Sequence, residues 1–125
     1  MKEFPRVSAC VVLYRSGEQA LETLQCLEDS RPRPEIFVVD NHSGEGLAAR
    51  FPDIRLLPQA ENLGFGRGNN VVLPLLHSEY HLLCNPDVTF PPELLDRMTA
   101  WMDAHPEAVI LTPRVMNQDG TEQFL

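Results

Sequence analysis

The sequence predicts an α/β domain: a mostly parallel, open β-sheet with helices on both faces. Three observations carry that expectation. Short apolar runs at residues 7–14, 36–39, 54–57, 80–84 and 108–111 have the length and composition of buried strands. Stretches with helically spaced apolar residues lie between several of them. Strand and helix therefore alternate, which implies βαβ units with right-handed crossovers and parallel neighbours. At 125 residues the chain is long enough for one domain, 1–125, with a sizeable core.

The run 7–14 (VSACVVLY) reads as a central strand covered on both faces. Arg15-Ser16-Gly17 ends it, and Ser16 followed by Gln19 fits a capping box. Leu21, Leu24 and Leu27 give the following helix its apolar stripe, and Asp29-Ser30-Arg31-Pro32-Arg33-Pro34 stops it. Residues 36–39 form a second buried strand that ends in Asp40-Asn41. A loop containing His42 leads to a short helix at 47–51, broken by Pro52-Asp53. The third strand, 54–57, belongs nearer an edge because Arg55 interrupts it. The glycine-rich stretch 61–70 reads as a loop feeding a helix at 71–76. Pro74 inside that helix would remove a backbone hydrogen bond at roughly 3 kcal/mol, so the helix should kink or restart there. Residues 80–84 form the fourth strand. Phe90-Pro91-Pro92 opens the clearest helix, in which Leu94, Leu95, Met98, Trp101 and Met102 make one broad core face. A fifth strand at 108–111 and a hairpin around Asp119-Gly120 complete the chain.

A net charge of −8 argues against nucleic acid as a partner, because that binding needs a cationic footprint. Lys2 is the only lysine, so positive charge for a phosphorylated ligand must come from arginine, helix N-termini or a metal. Cys10, Cys26 and Cys84 lack metal-ligand spacing, and Cys10 and Cys84 fall inside apolar runs as small hydrophobes. A reducing, cytoplasmic setting follows from that usage. No stretch has the length of a transmembrane helix, and the first residues lack a signal-peptide core.

Three polar clusters stand at three strand ends: Tyr14-Arg15, Asp40-Asn41 and Asn85-Pro86-Asp87. If the first, second and fourth strands share a sheet, all three lie on one rim, where ligands of open α/β sheets bind. Pro86 stiffens the last cluster and ends the strand's hydrogen-bond ladder. A carboxylate there can hold a hard cation, and the cation can hold phosphates. Each cluster has a plainer reading. Asn-Pro-Asp is ordinary turn chemistry, Asp40 can cap the next helix, and Gly64, Gly66 and Gly68 can be turn glycines. The last three miss the dinucleotide fingerprint, since the third glycine comes one residue early. The histidines form no ligand pattern.

Tyr14, then Val38-Val39-Asp40-Asn41-His42-Ser43, then Glu61-Asn62-Leu63-Gly64-Phe65, Gly68-Asn69-Asn70 and Leu83-Cys84-Asn85-Pro86-Asp87, in that order and spacing, resemble the family-2 glycosyltransferases. The likeness is to the rhamnosyltransferase-like branch with the GT-A fold, and it covers nearly the whole chain. The resemblance implies a Rossmann-like nucleotide-binding half. It gives Asp40 to the nucleotide base or ribose and Tyr14 to a place beside the base. It gives Asp87, in the family's Asp-x-Asp-type position with Asn85, to a divalent metal (Mg or Mn) on the donor's diphosphate. Asn41 belongs to the same donor site, and Asn62, Gly64, Asn69 and Asn70 match the loop lining the diphosphate and sugar. Departures are visible. Leu13 and Arg15 flank Tyr14 where the family more often has Thr and Asn. Asn69 stands where many members carry arginine, a lack that Arg67 would offset by reaching the phosphates. The metal motif has one carboxylate instead of two.

The physics agrees with a cation there. Two unit charges at 4 Å differ by about 4 kcal/mol at an effective dielectric of ~20, so an anionic diphosphate beside two aspartates needs a counter-ion. A helix N-terminus near Asn69 would add ~0.3–1 kcal/mol. The resemblance implies transfer of a sugar, with rhamnose suggested by the branch, from a nucleotide-sugar donor to a carbohydrate or lipid-linked acceptor by inverting displacement. It places the acceptor site and catalytic base beyond Leu125, so the 125-residue chain is expected to be inactive alone. The family also implies peripheral contact of the full-length enzyme with the inner face of a membrane. An uncovered apolar surface would favour a homodimer. The rival reading is a receiver-type signalling module with an acidic metal-binding rim. That design needs an aspartate after the third strand and a lysine after the fifth, and the chain has Pro58-Gln59 and Thr112-Pro113-Arg114 there.

Overall fold

The computed structural model describes residues 5–41 and 46–123. The expected loop around His42 and Ser43 lies outside them. In chain order the elements are β1 (Val7–Leu13), α1 (Gly17–Asp29), β2 (Glu35–Asp40), α2 (Leu47–Arg50), β3 (Arg55–Pro58), α3 (Gly64–Asn70), a single 3-10 turn (Leu73–Leu75), β4 (Tyr80–Cys84), α4 (Leu94–Ala104), β5 (Val115–Met116) and β6 (Glu122–Gln123). The first four strands form one parallel sheet in the order β3-β2-β1-β4. β5 and β6 form a separate antiparallel hairpin, with Gly120 at φ +88° in its turn, as Asp119-Gly120 led one to expect.

β1 is buried along its whole length because it has strands on both edges and helices on both faces. On one face Ala9, Val11, Ile36, Val38 and Cys84 pack against Leu24 and Leu27 of α1, Leu47 of α2 and Leu95 of α4. On the other, Cys10, Val12, Phe37 and Val39 pack against Val72 and the partly buried Val71, Leu75 and Leu76. The period-2 alternation of each strand thus feeds two cores. β3 is an edge strand with Arg55 exposed, as the charge at that position implied.

Four local expectations change. Ser16 forms no capping box: it is itself in right-handed helical geometry, and its hydroxyl accepts the Tyr14 N–H at 3.3 Å. The glycine-rich stretch is not a loop before a helix. From Gly64 it is the helix, and Pro74 falls in the 3-10 turn where the chain restarts. The core face of α4 is narrower than its pattern: Leu95 and Thr99 are buried, while Trp101 is exposed and stacks on His105. Residues 108–111 form no strand. Val109 and Ile110 are 87% and 83% exposed, because apolar β-formers need a neighbouring strand and no described segment offers one. Leu83 on edge strand β4 is likewise exposed.

α3 sits close on β1 because residue 68 is glycine. A Cβ there would lie 2.9 Å from Cγ1 and 3.2 Å from Cγ2 of Val12. Val12 is a β-branched residue in a central strand and cannot step aside. Gly66, two residues earlier, has nothing within 4 Å of a built Cβ. Gly68→Ala should therefore lower stability by ~1–3 kcal/mol. Gly66→Ala should raise it by roughly 0.5–1 kcal/mol. Urea midpoints of the two variants check the contrast.

At the other end of the sheet, Ser8 is fully buried and its hydroxyl lies 2.6 Å from that of Ser78 and 2.7 Å from His81 Nδ1. His81 Nε2 is buried with no hydrogen-bond partner among the described residues. A second ring proton would be a donor with nothing to receive it, and burial lowers the His81 pKa below its usual 6.5. The unfolded chain then binds the proton more readily, so this contribution to stability is present above pH 6.5 and fades as pH falls below it. Denaturation of wild type and His81→Gln at pH 8 and pH 5 should give the smaller acid loss in the variant.

Candidate functional site

A parallel sheet sends all its carboxyl ends to one edge. Asp40 closes β2 in register with Leu13 of β1 and Pro58 of β3, and Cys84 closes β4 opposite Val11. Tyr14, Asp40 and Asn85-Pro86-Asp87 therefore leave from the same rim. β2 and β4 flank β1, so their ends are two strand spacings, roughly 10 Å, apart. The strand order also reverses at β1, where β4 joins on the side away from β2. That is the kind of switch point at which open α/β sheets bind ligands.

The chain turns sharply out of β1. Arg15 has φ +52° and Gly17 has φ +65°. The first is a left-handed backbone on a residue with a Cβ, a strain of order 1–2 kcal/mol. Its guanidinium lies 5.1 Å from the centre of the exposed Tyr14 ring. Asp40 is buried at the rim, and its carbonyl accepts the Gln59 N–H at 2.9 Å. It is not the N-cap of α2, a position held by Gly46.

Asn41 is 1% exposed and holds the rim together. Its N–H donates to the Leu13 carbonyl at 2.8 Å, its Oδ1 accepts the Leu63 N–H at 3.3 Å, and its Nδ2 donates to the Gly64 carbonyl at 3.4 Å. Asn62 Oδ1 accepts the Gly64 N–H at 2.9 Å, and Gly64 has φ +79°, so two asparagines and a glycine shape the entry to α3. Asn69 is buried in the last turn of that helix, with Nδ2 donating to the Phe65 carbonyl at 3.0 Å and Oδ1 buried without a partner among the described residues. Placing a helix N-terminus near Asn69 was therefore wrong, because α3 starts five residues earlier. Arg67 and Asn70 are exposed on α3.

Asn85 and Asp87 are exposed, and neither side chain makes a hydrogen bond or ion pair to any described residue. Residue Thr23, which sequence reading left unassigned, reaches this loop: its hydroxyl lies 2.7 Å from the Val88 carbonyl oxygen and 3.1 Å from the Val88 nitrogen. The one signal for it was a hydroxyl inside the apolar stripe of α1. Burial pushes the thiols of Cys10 and Cys84 up to about 11 and about 12, so they are inert neighbours, and all three cysteines are free.

Among the described residues no three His, Cys, Asp or Glu side chains gather as a metal site. Asn85 and Asp87 nevertheless fit a hard cation that is shared with a ligand. They offer oxygen donors, exposed and otherwise unengaged, and magnesium-type ions take one or two carboxylates with the rest from phosphates and water. An open cleft of about 270 Å³ lined by Glu28, Asp29, Arg50 and Asp53 lies where α1 ends and β3 begins, at the opposite end of the strands from this rim.

The receiver-type alternative fails on topology, since that design orders its sheet 2-1-3-4-5 and here β3 lies outside β2. No helix among the described residues is long and apolar enough to cross a membrane.

Comparison with known proteins agrees with this geometry. Residues 8–124 match the model of glycosyl transferase family 2. The chain is 28% identical over 126 aligned positions to the N-acetylglucosaminyl-diphospho-decaprenol L-rhamnosyltransferase of Mycobacterium tuberculosis, an alignment spanning 88% of this chain and 41% of that protein. Among solved structures it is similar to S. aureus TarS 1-349, with a TM-score of 0.71, 23% identity, and coverage of 81% of this chain and 33% of that one. It is also similar to the mannosyltransferase PcManGT from Pyrobaculum calidifontis in complex with GDP-Man and Mn2+, with a TM-score of 0.67, 24% identity and the same coverage. The chain thus spans less than half the length of these relatives. Its parallel sheet with helices on both faces is the GT-A arrangement of the two solved structures, and on the family match the chain belongs to glycosyl transferase family 2.

Proposed function

We propose that this chain binds the donor in a glycosyltransferase that passes a sugar from a nucleoside diphosphate to an acceptor hydroxyl with inversion. The observation that carries the reading is the rim itself. Asp40, at the end of β2, and Asp87, three residues beyond the end of β4, are far apart in sequence yet follow strands whose ends are about 10 Å apart on one edge of the sheet, an arrangement suited to a nucleoside on one side and its diphosphate on the other. Membership of the family and the likeness to a rhamnosyltransferase support sugar transfer, and suggest a dTDP-rhamnose-like donor.

In this reading the exposed Tyr14 ring, backed by Arg15, receives the base, and Asp40 meets the base or ribose. Arg67 meets the phosphates. Asn85 and Asp87 would hold a divalent cation, as the manganese in the PcManGT complex suggests. When bound, such an ion would act as a Lewis acid on the departing diphosphate. Asn41, Asn62, Gly64 and Asn69 shape the entry and turns of the helix that carries Arg67 and Asn70. The acceptor site and the carboxylate that deprotonates the acceptor hydroxyl are assigned to the part of the longer relatives that this chain does not span.

Calorimetry with UDP-, dTDP- and GDP-sugars, with and without manganese, tests the proposal. One donor should bind in a manganese-dependent way, and Asp87→Ala should weaken it by about tenfold or more. Manganese-dependent binding that survives undiminished in Asp87→Ala would remove Asp87 from the ligands. No binding of any of the three would sink the donor reading.

A further inference from the structure

Asp87 is held by two anchors. On one side is Cys84, the last residue of β4, in register with Val11. On the other is Val88, whose partner is not a strand but the side chain of Thr23 on α1. The Thr23 hydroxyl accepts the Val88 N–H at 3.1 Å and donates to the Val88 carbonyl at 2.7 Å. Thr23 is fully buried, and its only other contact of this kind among the described residues is the longer 3.2 Å approach to the Gln19 carbonyl of its own helix. A hydroxyl has one proton, so the shorter bond to Val88 takes it.

A single side chain thus satisfies both backbone polar groups of Val88, as a neighbouring strand would. Pro86 adds a fixed φ and lacks an N–H. The span 85–87 is left with little freedom, although the Asn85 and Asp87 side chains are exposed and unbonded within the described residues. An exposed carboxylate on a free loop would have to be ordered each time a ligand binds, at an entropic cost. Here the ordering is built into the core through a helix that carries no ligand-facing residue in the reading above.

We infer that Thr23 is a positioning residue: through Val88 it fixes the loop that presents Asp87 to the cation and diphosphate. This rests on the donor reading of Asp87, and the experiment separates the two. Thr23→Val keeps the shape and removes the hydroxyl, Thr23→Ser keeps the hydroxyl, and Asp87→Ala reports on the carboxylate. Thr99→Val is the control, since Thr99 is also a buried helical threonine, bonded to the Asp96 carbonyl at 3.1 Å in α4. The probe is manganese with UDP, dTDP or GDP, whichever wild type binds best, titrated by calorimetry.

Thr23→Val should lower the manganese-dependent affinity by roughly tenfold, the effect typical of a lost supporting contact behind a metal ligand. Thr23→Ser should restore it and Thr99→Val should leave it at the wild-type level. Wild-type affinity in Thr23→Val, or an equal loss in Thr99→Val, overturns the inference. If Asp87→Ala binds as wild type does, it is the assignment of Asp87 as a ligand that fails instead. Amide exchange on the wild type needs no variant. The Val88 N–H should be protected like those of β4, and exchange at the rate of an open loop overturns the role given to Thr23.

Discussion

The constraint on which the rest depends is the parallel pairing of β1 with both of its neighbours. Parallel strands cannot be joined by tight turns, so each return crosses a face of the sheet as a helix or an equivalent segment. Those crossings bury both faces of β1 and leave every strand's carboxyl end at one edge. The polar clusters after β1, β2 and β4 converge for that reason alone. No side-chain attraction is needed to gather them, and two aspartates would repel each other without a counter-ion.

Convergence of strand ends does not order the loops that follow. Two buried polar side chains do this in the same manner. Asn41 presents one acceptor and one donor to the backbone of Leu63 and Gly64, and Thr23 does so to the backbone of Val88. Backbone groups of a loop that tucks against a core must find partners or lose more than a kcal/mol each. A side chain that supplies both a donor and an acceptor meets that demand and fixes the loop's position in one step. The close approach of α3 to Val12, permitted by Gly68, adds a third restraint beneath the same rim.

Several large apolar side chains late in the chain stay exposed. Leu83, Val109 and Ile110 are exposed and Trp101 is only partly covered, by His105. α4 packs against the core it shares with α1 through Leu95 and the partly buried Met98. Among the described residues no strand pairs with 108–111.

The sequence by itself determined the element types over most of the chain, the parallel sheet, the edge position of β3 and the residues that would stand at the strand ends. These follow from periodicity, from proline and glycine placement, and from where apolar runs stop, all of which are local. Tertiary structure decided what depended on partners far along the chain. Ser16 was legible as a cap, yet the turn through Arg15 and Gly17 points its hydroxyl to Tyr14. Residues 108–111 had the composition of a strand but no strand to pair with. The glycines before Asn69 looked like a loop, and became a helix because packing against Val12 outweighs their poor helical propensity. Asn41 stood out only as a rim residue and Thr23 not at all, since a polar residue's role as a loop anchor exists only once the fold brings a backbone to it.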